Sequence, residues 1–224
     1  MVRLVLFDID GTLLHTNAVG IRAFDRTLES EFNVSNGTAG LKFAGRTDTG
    51  LVRELFGRHG IEVSKKNFQR FFDNYANWLS QMLAETGGEV CPGAWDLIRE
   101  LQALPNPPAL GLLTGNIRLG AEIKLRYFKL WDIFVTGAFA DDHEDRNQIA
   151  AIAFQRGSQF LGESLRSNQV VVIGDTPHDV ACGRAIGAKV LAVATGVSPV
   201  AELQSLGPDW AVADLTKITA REIC

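Results

Sequence analysis

The 224-residue sequence predicts an α/β fold with a doubly wound parallel sheet, and three observations lead to that class. An apolar run at residues 2–7 has the length of a buried strand. Residues 16–87 show helical patterns only, whereas residues 88–224 alternate short β-rich runs with helices. Such alternation is typical of parallel strands covered by helices on both faces. The first strand has to join that sheet, so the helical segment is predicted to be an insertion behind it.

The insertion divides the sequence into two predicted domains. Residues 1–15 and 88–224 form a core that contains the sheet, and residues 16–87 form a helical domain inserted after the first strand. The chain enters the insertion near residues 15–17 and leaves it near residues 87–93. Two connections of this kind are typical of a hinge between a core and a smaller module.

Three amphipathic helices are predicted in the insertion. The first lies within residues 16–32, where apolar residues recur at helical spacing. Thr47 or Asp48 caps the second, and Ser64 caps a third that ends at the glycines of residues 87–88. An aromatic stripe at this spacing is typical of a helical core rather than of a ligand platform. The stripe consists of Phe68, Phe71, Phe72, Tyr75 and Trp78.

Helices and short β-rich runs alternate from residue 94 onward. This order predicts strands that lie parallel in one sheet, with helices between them. The predicted strands are residues 109–113, 133–135, 170–173, 190–193 and 210–212. The predicted helices are residues 94–104, 119–128, 147–160 and 178–186.

Composition and charge describe an ordinary globular chain. Apolar residues make up 46% of it, and the formal net charge of −4 gives no basic face for nucleic acid. The largely apolar segment at residues 4–14 contains Asp8 and Asp10 and is too short for a membrane span or a signal peptide. Cys91, Cys182 and Cys224 lack metal-ligand spacing, which indicates reduced thiols. We therefore expect a soluble cytoplasmic protein, a monomer or a small homo-oligomer, with no nucleic-acid or membrane partner.

Two carboxylates directly follow the first predicted strand. Asp8 and Asp10 lie on one face of an extended segment, and Gly11 and Thr12 then turn the chain. Two acids this close share a cation, split their pKa values, or divide the work of a nucleophile and a general acid/base. A strand that simply ends in an Asp-Gly turn is the alternative interpretation.

Polar residues also follow two other predicted strands. Thr114, Gly115 and Asn116 offer a hydroxyl and backbone N–H groups that bind phosphate oxygens, or they form an ordinary turn. Asp175 and Asp179 lie four residues apart at a helix start, where they either bind a cation or stabilise the helix terminus. The carboxyl ends of parallel strands share one edge of a sheet, so these groups are expected to meet. Oxygen ligands around a phosphate indicate Mg²⁺.

Three of these segments resemble motifs of a known family. Residues 8–13 (DIDGTL), 112–116 (LLTGN) and 174–180 (GDTPHDV) resemble motifs one, two and four of the haloacid dehalogenase-like (HAD) hydrolase superfamily. The helical insertion resembles the C1-type cap of that superfamily, as in its phosphoglycolate phosphatase and β-phosphoglucomutase-like members. The resemblance covers nearly the whole chain. It implies a Rossmann-like catalytic core with a cap, and an enzyme that cleaves a small phosphorylated metabolite.

The resemblance also implies a role for each acidic residue. Asp8 is expected to be the nucleophile that forms an aspartyl-phosphate, and to bind Mg²⁺ with its other oxygen. Asp10 is expected to protonate the leaving group, to deprotonate the attacking water, and to bind the metal through its backbone carbonyl. Asp175, with help from Asp179, is expected to complete the Mg²⁺ site.

The phosphate-binding residues include one departure from the family pattern. Thr114, Gly115 and Asn116 are expected to hold the transferring phosphoryl group. The third motif of the family supplies a lysine, but residues 137–147 contain none. Arg146 is the nearest match, because an arginine can also bind phosphate and carboxylate groups. A surface arginine paired with its acidic neighbours is the alternative interpretation.

The cap and the loops around the motifs supply further candidates. Arg46 is a candidate contact for an anionic substrate group, although exposed arginines are ordinary. His15 and His178 each adjoin a motif: His15 is a further candidate substrate contact, and the alternative for both is that they only line the cleft or its rim. The acidic residues of segment 141–145, with His143 among them, are predicted to form a solvated loop rather than a second metal site.

These residues support one leading function and several alternatives. The leading one is a Mg²⁺-dependent phosphatase for a small phosphorylated metabolite, with phosphoglycolate as the default substrate. A phosphomutase would use the same residues, and a phospho-accepting regulatory domain is the non-enzymatic alternative. Dehalogenation is disfavoured because that branch needs neither Asp10 nor the magnesium acids. Phosphonate hydrolysis needs a cap lysine, for which Lys42 is a weak candidate.

Overall fold

Eight strands and nine helices make up the fold, which a computed structural model describes for residues 1–224. In chain order the strands are β1 (Leu4–Phe7), β2 (Leu14–His15), β3 (Glu89–Val90), β4 (Ala109–Leu113), β5 (Thr136–Ala138), β6 (Val170–Gly174), β7 (Lys189–Val193) and β8 (Trp210–Val212). The helices are α1 (Val19–Phe32), α2 (Asp48–Arg58), α3 (Lys65–Thr86), α4 (Ala94–Gln102), α5 (Arg118–Tyr127), α6 (Arg146–Leu161), α7 (Pro177–Ala185), α8 (Val200–Ser205) and α9 (Ala220–Ile223). No helix combines the length and the apolar character needed to cross a bilayer.

Six of the strands form one parallel sheet in the order β5-β4-β1-β6-β7-β8. Strand β1 lies in the middle of this sheet, between β4 and β6. The chain therefore builds outward in both directions from β1. Such a reversal of strand order opens a crevice at the carboxyl ends of the strands, where ligands bind in α/β folds. This confirms the predicted fold class.

Both faces of the sheet are apolar because helices cover both. Val5 and Phe7 belong to a cluster of 25 buried residues on one face, and Leu4 and Leu6 belong to a cluster of 12 on the other. All four side chains of β1 are fully buried. The strand therefore places whatever follows Phe7 at the centre of the molecule.

Helices α1, α2 and α3 contribute all but two residues of a separate buried cluster of 14 residues. Phe24 on α1 packs edge-to-face against Phe71 and Tyr75 on α3, with ring centroids 5.0 and 4.7 Å apart. The aromatic stripe thus contributes to a core, as predicted. Ile117 and Ala140 from loops beside the sheet join the same cluster, so the helices are packed onto the carboxyl edge of the sheet.

The two connections to the helical insertion pair with each other. Strands β2 and β3 form a short antiparallel ribbon, with Leu14 opposite Val90 and His15 opposite Glu89. The backbone of Gly88 lies so close to the carbonyl of His15 that a side chain there would overlap it. The predicted domain boundaries fall at this ribbon, and the division into two domains stays a prediction.

Most predicted elements lie within a few residues of those observed, but one strand prediction was wrong. Residues 133–135 do not form a strand, because the chain makes a 3₁₀ turn at Trp131–Ile133 and enters β5 only at Thr136. The apolar residues Trp131, Ile133 and Phe134 pack against the large cluster instead. A short apolar run does not distinguish a strand from a packed turn. The ribbon β2–β3 and helices α8 and α9 were not predicted.

Candidate active site

A cavity of about 460 Å³ lies between the carboxyl edge of the sheet and the helices of the insertion. Most of the predicted site residues line it, whereas Thr114 and Asp179 are fully buried behind its wall. The lining residues that were predicted are Asp8, Asp10, His15, Arg46, Gly115, Asn116, Arg146 and Asp175.

Asp8 is the first residue after β1 and is only 5% exposed. Its backbone N–H donates to the carbonyl of Ile173 on β6 at 2.9 Å, which continues the sheet pairing by one residue. Burial raises the pKa of Asp8 to about 7, and the Asp179 carboxylate acts in the same direction, while Arg146 opposes both. The guanidinium of Arg146 lies 3.6 Å from an oxygen of Asp8. Asp8 is therefore a desolvated carboxylate that faces one fixed cation.

Asp8, Asp175 and Asp179 form the one cluster of potential metal ligands in the structure. One oxygen from each carboxylate lies within 4.8 Å of the others, and all three residues are buried. Burial, together with the carboxylates of Asp179 and Asp8, raises the pKa of Asp175 to about 9. Its Oδ1 accepts a hydrogen bond from Thr12 at 3.1 Å, and no hydrogen bond reaches its Oδ2. Buried oxygen donors that repel one another fit a hard divalent cation.

Glycines make room for these carboxylates. Gly11 has a φ of +81°, and a Cβ at this position would lie 2.5 Å from Asp175 Oδ2. Gly174 at the end of β6 lies against Asp179 in the same way, so that a side chain would overlap the carboxyl group. The Asp-Gly-Thr turn therefore needs its glycine both for its backbone conformation and for space.

Asp179 serves the start of helix α7 as well as the acidic cluster. Its Oδ2 accepts from the backbone N–H and the hydroxyl of Thr176 at 3.0 and 2.6 Å, which forms a capping box with Pro177 at the first helical position. Its Oδ1 accepts from Arg146. Both oxygens of Asp179 are thus engaged by protein donors, and those of Asp175 are freer. The expected metal role of Asp179 stays a prediction.

Arg146 begins helix α6 and is 7% exposed, so the alternative interpretation as a surface arginine is wrong. Its Nη2 contacts both Asp8 and Asp179. Burial opposes the charge of Arg146, but these two carboxylates outweigh it and raise the pKa of the guanidinium. Its Nε has no hydrogen-bond partner. The arginine thus lies beside Asp8, at the start of the helix where the resemblance leads one to expect a lysine.

The loop after β4 is built around a buried hydroxyl. Thr114 Oγ1 accepts from the backbone N–H and the side-chain amide of Asn116 at 3.3 and 2.9 Å. The same amide donates to Asp10 Oδ2 at 2.8 Å. Gly115 lies under the carbonyl of Arg46, and its own carbonyl accepts from the N–H of Asp48 at 2.7 Å. The insertion is therefore fastened to this loop at the start of α2.

One residue at the site, Lys124, was not predicted. It lies on α5, is 4% exposed, and donates to both carboxylate oxygens of Asp10 at 2.8 and 2.6 Å. It also donates to Asn116 Oδ1 at 2.6 Å. The available signal was its position, since it lies between Ala121 and Leu125 on the apolar face of the helix. A lysine in such a place needs a charged partner.

The remaining candidates differ in their contacts. Arg46 and His15 line the cavity. The Nη2 of Arg46 donates to Glu54 at 2.6 Å, and Glu54 also accepts from Arg58. The substrate roles proposed for Arg46 and His15 stay predictions.

The acidic segment 141–145 forms no metal cluster. Asp142 accepts two hydrogen bonds from Arg156 at 2.7 Å, and Glu144 forms an ion pair with Arg53 at 2.6 Å. Asp145 caps α6 through the N–H of Asn147 at 2.7 Å. Acidic side chains of this segment thus form ion pairs with arginines. The segment is a loop, as predicted.

The cavity thus combines a buried carboxylate, a cluster of acids that could hold a cation, a guanidinium and a second carboxylate, and phosphoryl-transfer enzymes use groups of these kinds. Residues 5–193 match the family model described as haloacid dehalogenase-like hydrolase. The chain therefore belongs to the haloacid dehalogenase-like hydrolase family and is an enzyme. This confirms the family and the enzyme class that the motifs predicted.

Named relatives are similar along nearly their whole length. The phosphoglycolate phosphatase of Rhodospirillum rubrum is 28% identical, over 92% of this chain and 86% of the relative. The pyrophosphatase PpaX of Oceanobacillus iheyensis is 26% identical, over 97% of this chain and 95% of the relative. Among solved structures, CbbY from Rhodobacter sphaeroides in complex with phosphate has a TM-score of 0.74 at 18% identity and covers 97% of this chain and 96% of its own. That structural likeness shows the fold, and both named relatives are called phosphatases.

Proposed function

We propose that the protein is a Mg²⁺-dependent phosphatase that hydrolyses a small phosphorylated metabolite, a phosphomonoester of the phosphoglycolate type, through an aspartyl-phosphate on Asp8. The observation that supports this most directly is the position of Asp8. Its buried carboxylate lies within 4.8 Å of those of Asp175 and Asp179 and 3.6 Å from the guanidinium of Arg146. A carboxylate in this setting adjoins both a candidate cation site and a fixed positive charge.

Charge neutralisation is the first requirement of the reaction. A carboxylate that attacks a phosphate dianion meets strong repulsion, which positive groups have to offset in the transition state. Asp8, Asp175 and the backbone carbonyl of Asp10, with Asp179 beside them, would hold Mg²⁺, which would supply part of that charge when bound. Arg146 supplies the rest from the protein. In the loop at residues 114–116, Gly115 and Asn116 line the cavity and bind the phosphoryl oxygens, while the buried hydroxyl of Thr114 holds Asn116 in place from behind.

Asp8 and Asp10 have different roles in the two chemical steps. In the first step an oxygen of Asp8 attacks phosphorus, the bond to the leaving oxygen breaks, and Asp10 gives that oxygen a proton. In the second step the ionised Asp10 takes a proton from water, and the water oxygen attacks the phosphorus of the aspartyl-phosphate. The P–O bond to Asp8 breaks, phosphate leaves, and Asp8 is regenerated.

The test is the release of inorganic phosphate from p-nitrophenyl phosphate with Mg²⁺ present. Asp8→Asn is expected to abolish turnover, because an amide does not replace the nucleophile. Asp96→Asn is the matched control, since Asp96 is an exposed carboxylate of α4 outside the site. Retained activity in Asp8→Asn would refute the assignment. A phosphorylated isomer as product, with no phosphate released, would identify a phosphomutase instead.

A further inference from the structure

We infer that Lys124 is a positioning residue that holds the Asp10 carboxylate in the direction of the leaving-group oxygen. The inference rests on the proposed function, in which Asp10 is the general acid and base. It adds to the reaction a residue on α5 that belongs to none of the sequence motifs. Three contacts and the burial of the lysine support it.

The Asp10 carboxylate depends on Lys124 for its orientation. Its side chain is 43% exposed to the cavity, and no backbone N–H donates to it. Lys124 engages both oxygens, and the amide of Asn116 engages Oδ2 only. Without the ammonium, Asp10 would keep one hydrogen bond and would turn freely about its side-chain torsions. The lysine therefore contributes most of the restraint.

The ammonium group is saturated by these contacts. A lysine ammonium has three N–H donors. Lys124 donates to Asp10 Oδ1, Asp10 Oδ2 and Asn116 Oδ1, at 2.8, 2.6 and 2.6 Å. No donor remains for a substrate phosphate. This favours a role that acts through Asp10 over direct substrate binding.

The surroundings of Lys124 fix its position. Helix α5 packs against α3 of the insertion, and the ammonium lies under the start of α1, where a Cβ on Gly20 would be 3.8 Å from both Lys124 Nζ and the Tyr75 hydroxyl. Burying an ammonium is costly unless hydrogen bonds and opposite charge compensate it. The hydrogen bonds to Asp10 and Asn116 therefore fix the position of the ammonium group. Lys124 in turn fixes the orientation of these two side chains.

Orientation of the acid matters most when the leaving group is poor. An alkoxide leaves only when a proton is delivered along a short, aligned contact, whereas a nitrophenolate leaves without one. The ratio kcat/KM for phosphate release reports the step in which the leaving group departs. Loss of the positioning residue should therefore lower kcat/KM in proportion to the basicity of the leaving group.

The experiment measures kcat/KM for a series from 2,4-dinitrophenyl phosphate to phenyl phosphate and an alkyl phosphate. Lys124→Met is expected to lose about 100-fold with the alkyl phosphate and less than about 5-fold with the dinitrophenyl ester, within the range of general acid catalysis. Asp10→Asn should show the same dependence. Lys129→Met, at an exposed turn position two residues after the end of α5, is the matched control and should follow the wild type. Thermal unfolding checks that each variant is folded.

A second variant covers the case in which Lys124→Met does not fold. Lys124→Arg keeps the charge but alters the geometry, and should lose about 10-fold with the alkyl phosphate while keeping its activity on the dinitrophenyl ester. A different result is that both Lys124 variants lose kcat/KM equally for all leaving groups while the loss in Asp10→Asn still depends on the leaving group. That result would overturn the inference and leave the proposed function intact. If the loss of kcat/KM in Asp10→Asn did not depend on the leaving group, Asp10 would not be the general acid, and the inference about Lys124 would fail as well.

Discussion

The two carboxylates that follow β1 occupy opposite environments. Asp8 is buried among other acids, and its pKa is raised to about 7 chiefly by that burial. The side chain of Asp10 is 43% exposed and pairs with Lys124. The cation that pairs with Asp8 is Arg146 at 3.6 Å, whereas Lys124 lies 2.6 Å from Asp10. The nucleophile candidate therefore needs a further cation, and the acid/base candidate already has one.

This difference agrees with the division of work that we propose. A nucleophile gains from a dry position in which positive charge is added with the substrate. A general acid and base has to reach both a leaving oxygen and a water, so it needs access and a fixed direction. The predictions below test each side of the comparison.

Metal removal should have the largest effect. We expect EDTA to reduce phosphate release to background, because Asp8, Asp175 and Asp179 then repel one another and the substrate. Added Mg²⁺ should restore the rate. Colorimetric measurement of phosphate with and without the metal checks this, and turnover that does not depend on metal would contradict the Mg²⁺ site.

Arg146→Ala should reduce kcat by about 10³-fold, as expected for a charged group that acts on the transition state. It leaves Asp8 and Asp179 without their fixed cation. Arg156→Ala is the matched control, because Arg156 follows on the same helix and pairs with Asp142 away from Asp8. A rate near that of the wild type would show that Arg146 has no part in the chemistry.

Asp48→Asn tests a third buried carboxylate, which belongs to the insertion. Burial raises the pKa of Asp48 to about 7, Lys124 opposes that rise, and Asp48 Oδ2 accepts from the N–H of Ile117 at 2.8 Å. Between its ordinary pKa and pH 7 the unfolded chain has lost a proton that the folded chain keeps, so the folded state loses stability as pH rises through this range. Between pH 5 and pH 8, the free energy of unfolding should therefore fall by about 2 kcal/mol more in the wild type than in Asp48→Asn.

Urea unfolding at the two pH values measures this difference, with EDTA present throughout. An asparagine still accepts the hydrogen bond of Ile117, so the variant removes the titration and keeps the contact. Asp96→Asn serves as the exposed control. Equal pH dependence in Asp48→Asn and the wild type would show that Asp48 is ionised in the folded protein at pH 5.

Arg46→Ala should have the smallest effect. We expect KM for phosphoglycolate to rise about 10-fold with kcat unchanged, because a charge-assisted hydrogen bond to the substrate carboxylate is lost. KM for p-nitrophenyl phosphate, which has no second anionic group, should stay constant. Arg58→Ala, which removes the other partner of Glu54, is the control. Equal changes with both substrates would exclude a contact to the carboxylate.

The local features of the fold could be predicted from the sequence. Thr47 and Ser64 cap α2 and α3 as predicted, and Pro177 is the first residue of α7, because capping depends on residues close in sequence. The meeting of the loops after β1, β4 and β6 was also predictable. Parallel strands present their carboxyl ends at one edge, so a polar residue that follows a strand is placed there.

Contacts between distant segments could not be predicted. Strand β5 begins at Thr136 rather than 133 because the packing of Trp131 and Phe134 decides where the chain turns. Lys124 meets Asp10 across 114 residues of sequence, and no local pattern records such a partner.

By itself, the sequence determined the fold class, the family and the position of Asp8 and Asp10 at the end of the first strand. Only the tertiary structure decided that Asp8 is buried beside Arg146 and that Asp10 is held by Lys124. Motifs and helix caps depend on residues that are close in sequence, whereas burial and charge pairing depend on which helices pack over the end of the strand. The two carboxylates are two residues apart in the chain, and the surrounding fold gives them different chemistry.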